Sequence, residues 1–502
     1  MHFQTKHSEV NTMETFLTKL SQKKVVLLDY LLEKDNWCSM EELKQLLQVT
    51  DKTVLHYIEE LTTLLAEYGE NIFLENENNK QFWVHKKNDF PIYTIYLYFY
   101  KSSYNYQLID FMYRHPEETL ETFANAQFTS ISTVFRYAKL LVPYFKRYRL
   151  KFQPFKLELN AEERNIRSFF YYFYWHSTKE SERAWPFQTA LSTIETYIDS
   201  FEAIYQISLS PLQRRTLSYW LTINLERSKT RKIKIDPSYQ VVVDEDAHFS
   251  YLNQWVEQVK LGLSLDERYF LYQIIYSFGI IDGHKKYENS HAAAHRKFCT
   301  TSFRAVQNLA DALNQTFQFK LDLEDPELIF NFVAFHERSS LFYGNTDLFF
   351  NRSYIKEIQE ENLRESVIME DLSKILKETS DSDVNDLLEN WEQLFLSYYF
   401  VLDYYDLFLN NLAPIKILIQ DDLHHTHRLW LMNKIQVYYG NAYVLAFYDY
   451  QTELSEVDLV ISNYYLKTKN TPLLLMKNIP SDRNWRQLGE ILFRIAYKKA
   501  GL

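Results

Sequence analysis

A five-residue pattern occurs twice in this chain, as Thr53-Val54-Leu55-His56-Tyr57 and again as Thr133-Val134-Phe135-Arg136-Tyr137. In the second copy Val134, Tyr137, Ala138 and Leu141 share one face of a helix at i, i+3, i+4 and i+7, and Ser132, Thr133, Arg136 and Lys139 point the other way. In the first, Val54, Ile58 and Leu61 turn inward, leaving Lys52, Thr53 and His56 outward. An amphipathic helix with small polar and basic residues on its free face is built like a recognition helix. Around the first copy, apolar spacing predicts a helix from Phe16 to Leu32, and a capping box at Ser39 and Glu42 opens another from Met40 to Leu47. The helix from Asp51 to Leu65 follows, then short strands at 72–74 and 81–84 joined by a polar turn. Three helices and a hairpin make a winged helix.

Charge separates the two copies. Residues 122–157 hold seven basic side chains (Arg136, Lys139, Lys146, Arg147, Arg149, Lys151, Lys156) and no acidic one, in a chain whose net charge is −11. Such a reversal of sign points to an anionic partner, and duplex DNA suits a helix with this free face. Residues 90–158 count nine basic against five acidic, whereas residues 13–89 count nine against fourteen. The second unit, with helices at 92–100, 104–114, 116–124 and from Ser132, and wing strands at 151–152 and 155–159, should therefore supply most phosphate contacts.

The remaining chain reads as regulatory. Residues 160–411 are almost wholly helical in pattern and carry 25 basic against 38 acidic residues, a balance that repels DNA. A break near Asn289 to Ala294 divides them into halves that each contain a Pro-initiated helix, Pro211 running toward Arg227 and Pro326 toward Arg338. In the last ninety residues, strands at 415–419, 442–447, 457–461 and 473–476 alternate with helices at 426–438 and 481–499, the pattern of a small α/β domain around a mainly parallel sheet. The expected layout is a tail at 1–12, winged-helix units at 13–89 and 90–159, helical modules at 160–290 and 291–411, and an α/β domain at 412–502. No run reaches the roughly 18 apolar residues that span a bilayer, and the N-terminus lacks an apolar signal core, so the expectation is a cytoplasmic protein without membrane contact. Cys38 and Cys299 have no metal spacing. Only eight glycines occur and none forms a phosphate loop, which argues against an enzyme; no cofactor is expected.

This order of modules resembles the Mga/AtxA class of Gram-positive virulence regulators. The resemblance implies a multidomain, mainly α fold: tandem winged-helix units, two phosphotransferase-system regulation domains (PRD-like modules) and a terminal domain similar to an enzyme IIB component (EIIB-like). It also implies a DNA-binding transcription regulator that forms a homodimer or higher oligomer and prefers curved or AT-rich DNA. In such modules a histidine in a Leu-x-x-His setting followed by Arg accepts phosphate from the phosphotransferase-system phosphocarrier protein; His336 matches most nearly, His284 is a second candidate, and Leu221 stands at the corresponding place of the first half. Where enzyme IIB carries its cysteine this chain has Gln420-Asp421-Asp422, so the fold is expected without the chemistry. His424, His425 and His427 are expected in a solvated loop, not a metal site. An RNA-binding antiterminator and a phosphocarrier remain the alternatives.

Overall fold

The computed structural model describes residues 17–179, 184–341, 363–389, 391–410, 413–423, 425–449, 451–468 and 470–499. The expected tail at 1–12 and His424 lie outside them. The described residues form two compact units. One holds everything through Arg304 together with the stretch from Glu324; the other holds Ala305–Leu323 and the chain from Glu357 onward.

The first unit opens with α1 (Lys19–Lys34), β1 (Cys38–Ser39), α2 (Met40–Leu47), α3 (Asp51–Ala66), β2 (Ile72–Glu77) and β3 (Gln81–Lys86). The expected capping box forms: Ser39 Oγ accepts the Glu42 N–H at 3.3 Å, and Glu42 Oε2 accepts the Ser39 N–H at 2.7 Å. Strand β3 lies between β1 and β2, antiparallel to both. The two-residue strand β1 went unread in the sequence because it is too short to alternate. Asn78 and Asn79 turn the hairpin with φ of 52° and 59°, a region asparagine tolerates better than most residues. A second set follows: α4 (Tyr93–Lys101), α5 (Tyr104–Arg114), α6 (Leu120–Ala126), α7 (Ile131–Arg147), β4 (Lys151–Gln153) and β5 (Glu158–Asn160), with β4 and β5 antiparallel. Helix α6 begins four residues later than expected; its N-cap is Thr119.

The helical region runs α8 (Glu163–Thr178), α9 (Leu191–Tyr205), α10 (Pro211–Arg227), α11 (Pro237–Glu245), α12 (Phe249–Gln258), α13 (Leu265–Ser277), α14 (Lys285–Lys297), α15 (Thr301–Phe317) and α16 (Pro326–Leu341). Its interior holds a charged cluster. Arg167 on α8, with no exposure, donates to both oxygens of Glu267 on α13 (2.8 Å from Nη2 to Oε1) and to Glu163 at 3.0 Å. Arg227 on α10 binds the same Glu163 at 2.6 and 2.8 Å. Three helices are thus tied by ion pairs whose partners satisfy one another, as buried charge requires.

The expected division at 290/291 falls inside α14, which is unbroken from Lys285 to Lys297. Three consecutive alanines at 292–294 favour helix, and the interruption sits earlier, where Gly279 and Gly283 take φ of +66° and +87°. Helices α14 and α16 pack together, and α16 also packs on α13 and α8, so the second half's Pro-initiated helix belongs to the same compact unit as the first.

In the other unit, α17 (Leu363–Thr379), α18 (Ser382–Leu388), α19 (Trp391–Tyr404) and α20 (Leu407–Asn410) precede β6 (Ile415–Gln420), α21 (His425–Tyr439), β7 (Leu445–Tyr448), β8 (Leu459–Ser462), β9 (Leu473–Leu475) and α22 (Asp482–Lys499). The four strands are all parallel in the order β7-β6-β8-β9. Ile415, Ile417 and Ile419 pack with Leu431, Ile435, Leu488 and Leu492 on one face, while Leu418 packs with Val457 and Val460 on the other. Both faces are apolar, as a sheet covered on two sides demands.

Candidate nucleic-acid interface

The repeat seen in the sequence is a repeat of geometry. Thr50 and Ser130 cap α3 and α7 in the same extended conformation, with ψ of 159° and 146°. The third helical residues, Thr53 and Thr133, place their hydroxyls 3.0 and 2.8 Å from the cap hydroxyls. Val54 and Val134, then Leu61 and Leu141, are fully buried at matching turns. Even the bend before each helix matches: Gln48 and Phe128 both sit at φ 51°, a left-handed conformation that costs a side-chain-bearing residue roughly 1–2 kcal/mol. Neither position shows the glycine that usually relieves that strain.

The free faces differ as their charges foretold. On α7, Ser132, Arg136, Lys139 and Lys146 are exposed and Thr133 is half-buried. Ser132 Oγ lies 3.0 Å from Ser130 Oγ, so three hydroxyls gather at the start of the helix. Arg136 extends over the Tyr137 ring at 5.6 Å and Lys139 over the Phe135 ring at 4.9 Å, which holds both cations outward on aromatic supports. Arg149, Lys151 and Lys156 are exposed on the turn and wing that follow, and β4 packs on α7. The Arg147 side chain lies outside the described residues. No acidic residue occupies the first turn of α7, so its dipole is unopposed by charge, while Ser130 Oγ accepts the Thr133 N–H at 3.2 Å.

On α3, Lys52 and His56 are exposed and Thr53 is half-buried, but carboxylates intervene. Asp51 stands in the first turn and binds Lys44 at 2.9 Å, and His56 Nε2 lies 3.6 Å from Glu60. Sequence reasoning missed the aromatic side chains beside the second helix. Phe128 is 99% exposed, and Phe155, 62% exposed, lies with its ring 4.3 Å from that of Phe135. An apolar residue in a turn where glycine or a polar residue is usual was the available signal.

His336 does not sit as a phosphoacceptor should. It is fully buried on α16, its Nδ1 lies 3.0 Å from the Ser302 carbonyl, and burial pushes its imidazole down to about 4. A ring closed off in this way offers no nitrogen to a carrier protein in this conformation; the sequence setting identified the residue but not its depth. His284, half-buried just before α14, is more accessible. Leu221 is buried on α10.

At the end of β6, Asp421 Oδ2 lies 2.8 Å from His427 Nδ1, and His427 Nε2 lies 2.7 Å from the Asn478 carbonyl. Two acceptors facing both ring nitrogens favour the doubly protonated imidazole. Desolvation lowers the His427 pKa, but the bonds to Asn478 and Asp421 outweigh it and leave it raised. His427 is therefore anchored rather than free in a solvated loop, while His425 Nδ1 accepts from Arg428 at 2.9 Å.

Among the described residues, no helix is long and apolar enough to cross a membrane. Residues 18–74 match the M protein trans-acting positive regulator (MGA) helix-turn-helix domain and residues 88–174 the Mga helix-turn-helix domain. Along 93% of this chain and 96% of its own length, a protein of Streptococcus pneumoniae serotype 4, provisionally named a trans-acting regulator, is 22% identical. The anthrax toxin expression trans-acting positive regulator of Bacillus anthracis is 20% identical over 93% of this chain and 97% of its own. The capsule synthesis positive regulator AcpB of the same organism is 20% identical over 63% of this chain and 66% of its own. Two helix-turn-helix domains of Mga regulators are thus matched in tandem and likeness to trans-acting regulators is sustained along nearly the whole chain, which together support the Mga/AtxA-type family.

Proposed function

We propose that this chain regulates transcription by binding duplex DNA, with α7 in the major groove and the β4–β5 wing against the backbone. The observation that carries the reading is the acid-free basic stretch from 122 to 157, whose described cations are all exposed, in a protein of net charge −11. The weaker, carboxylate-countered face of α3 makes the first unit an accessory to binding. Relatives named as positive regulators support the transcriptional role. Duplex DNA is favoured over RNA because the deep, narrow major groove of A-form RNA does not admit a helix.

The layout proposed with it has PRD-like modules in the helical region and an EIIB-like domain from 412 onward. The parallel order β7-β6-β8-β9 supports the latter, and the Asp421–His427 pair in place of a cysteine supports loss of phosphoryl chemistry. Self-association through that domain fits the apolar side chains it exposes: Leu429, Trp430, Val437 and Tyr438 on α21, Phe493 and Tyr497 on α22. A gel-shift comparison of AT-rich duplex DNA with hairpin RNA over a salt series tests the reading. Duplex binding that weakens steeply with salt is expected; equal or tighter binding of the hairpin would move the function to RNA.

A further inference from the structure

Helix α14 carries His291 and His295 at i and i+4, a spacing that sets both imidazoles on one face. That face meets α16, where Glu337 reaches toward them. All three are buried, at 0%, 1% and 3% exposure. His291 Nε2 lies 3.4 Å from one Glu337 oxygen and His295 Nε2 3.4 Å from the other, yet neither contact is aligned as a hydrogen bond. Both Nε2 atoms and both carboxylate oxygens are thus buried polar atoms without a hydrogen-bond partner, which is costly unless something else satisfies them.

The far nitrogens explain why. Tyr272 donates its hydroxyl proton to Asp246, so its oxygen, 3.2 Å from His291 Nδ1, receives that ring's N–H. His295 Nδ1 lies 2.8 Å from the Thr300 hydroxyl, whose oxygen also accepts the Phe303 N–H. With its proton on Nδ1, His291 turns a bare lone pair at Nε2 toward the lone pairs of a carboxylate. Acceptors facing acceptors in a dry interior call for a cation between them.

From this geometry we infer that His291, His295 and Glu337 bind one divalent transition-metal ion, of which Zn²⁺ fits best. Two imidazoles and a carboxylate are a familiar zinc donor set, and ligand atoms about 2.0–2.1 Å from a tetrahedral ion stand about 3.4 Å from one another. The two nitrogen–oxygen separations here have that value, and the three ligating atoms all lie within 4.8 Å of one another. The outer shell is in place as well: Asp246, Tyr272 and His291 form the carboxylate-linked chain that orients metal-binding histidines. Tyr239, its ring 6.4 Å from that of His295 and its buried hydroxyl beside Glu337, can hold a water in the fourth position. The ion would pin α14 to α16 and make the packing of the helical region dependent on metal.

The test uses the full-length protein, stripped by a chelator and titrated with Zn²⁺ against a chromophoric competitor, and in parallel with Co²⁺ as a spectroscopic probe. Binding of one equivalent, intense visible bands of four-coordinate Co²⁺, and a rise in thermal midpoint with Zn²⁺ are expected. Glu337→Gln keeps the shape and hydrogen-bonding capacity but removes the charge; it should lose the equivalent, as should His291→Gln, while His284→Gln keeps it. If those variants fail to fold, the Co²⁺ spectrum of the wild type still decides. A folded wild-type protein that takes up neither ion, or a Glu337→Gln variant that binds as tightly as wild type, would overturn the assignment.

Discussion

Replacing Lys139, Lys146 and Lys151 together by glutamine tests the proposed interface by its salt dependence. Each exposed cation that neutralises a phosphate releases counterions and contributes about −0.9 to the slope of log K against log salt. Six cations of the stretch have described, exposed side chains; with Arg136 assigned to a base edge, Lys139, Lys146, Arg149, Lys151 and Lys156 remain for phosphates. If all five touch phosphates, the slope is about −4.5, and raising salt from about 50 to about 200 mM weakens binding about 500-fold. With three removed the slope falls to about −1.8 and the same change costs only about 12-fold. Fluorescence anisotropy of a labelled duplex across that range reads both slopes, and the loss should be the same on every sequence. Parallel lines for wild type and triple variant would show that these lysines face no phosphate and would move the interface elsewhere, with the first unit's Lys80, Lys86 and Lys87 next in line.

Arg136→Ala should cost roughly 1–3 kcal/mol at preferred sites and less elsewhere, the signature of a base contact, whereas His56→Ala should matter little; equal losses on all duplexes would demote Arg136 to a phosphate contact. Arg167→Met leaves Glu267 buried and unpaired, so unfolding by urea should show a loss of about 3–5 kcal/mol, with part restored by adding Glu267→Gln; a loss under about 1 kcal/mol would mean that water reaches the cluster. Because the folded His427 pKa is raised, its bonds stabilise fully below the unfolded value and fade as pH rises through the folded one. The gap in thermal midpoint between wild type and His427→Gln should accordingly be widest in mild acid and close with rising pH; a gap that widens instead contradicts the paired imidazolium. Trp430→Glu with Val437→Glu should shift the protein toward monomer in sedimentation, and an unchanged assembly would place the interface off α21.

What could be read from the sequence follows from the range of the forces involved. Local periodicity and capping revealed α2, α3, α5, α7, α10 and the α/β alternation of the last ninety residues, because each of those signals lies within a few turns of chain. The pairing of β1 with β3 joins residues more than forty apart, and a two-residue strand leaves no pattern to find. His336 was singled out by its neighbours in sequence, yet its accessibility is decided by the Ser302 carbonyl and the packing over it, thirty-four residues away. His291 and His295 were hidden for another reason. Their spacing was legible, but the stretch from Asn289 to Ala294 was read as a break, and only Glu337 on a distant helix gives the pair a chemical partner.

The way α14 meets α16 bears on how the protein is made. The face of α14 around His291 is closed by Phe330, whose ring stands 5.9 Å away and which also neighbours Tyr276 of α13. Between these partners the chain leaves for Ala305–Leu323, which belong to the other compact unit. A nascent chain emerging from the ribosome therefore cannot seal the interior of its first unit until Leu341 has cleared the exit, long after both helix-turn-helix domains are free to fold. A fragment cut at residue 290 would bare the same apolar wall, so vectors for soluble truncations of this region should end beyond α16.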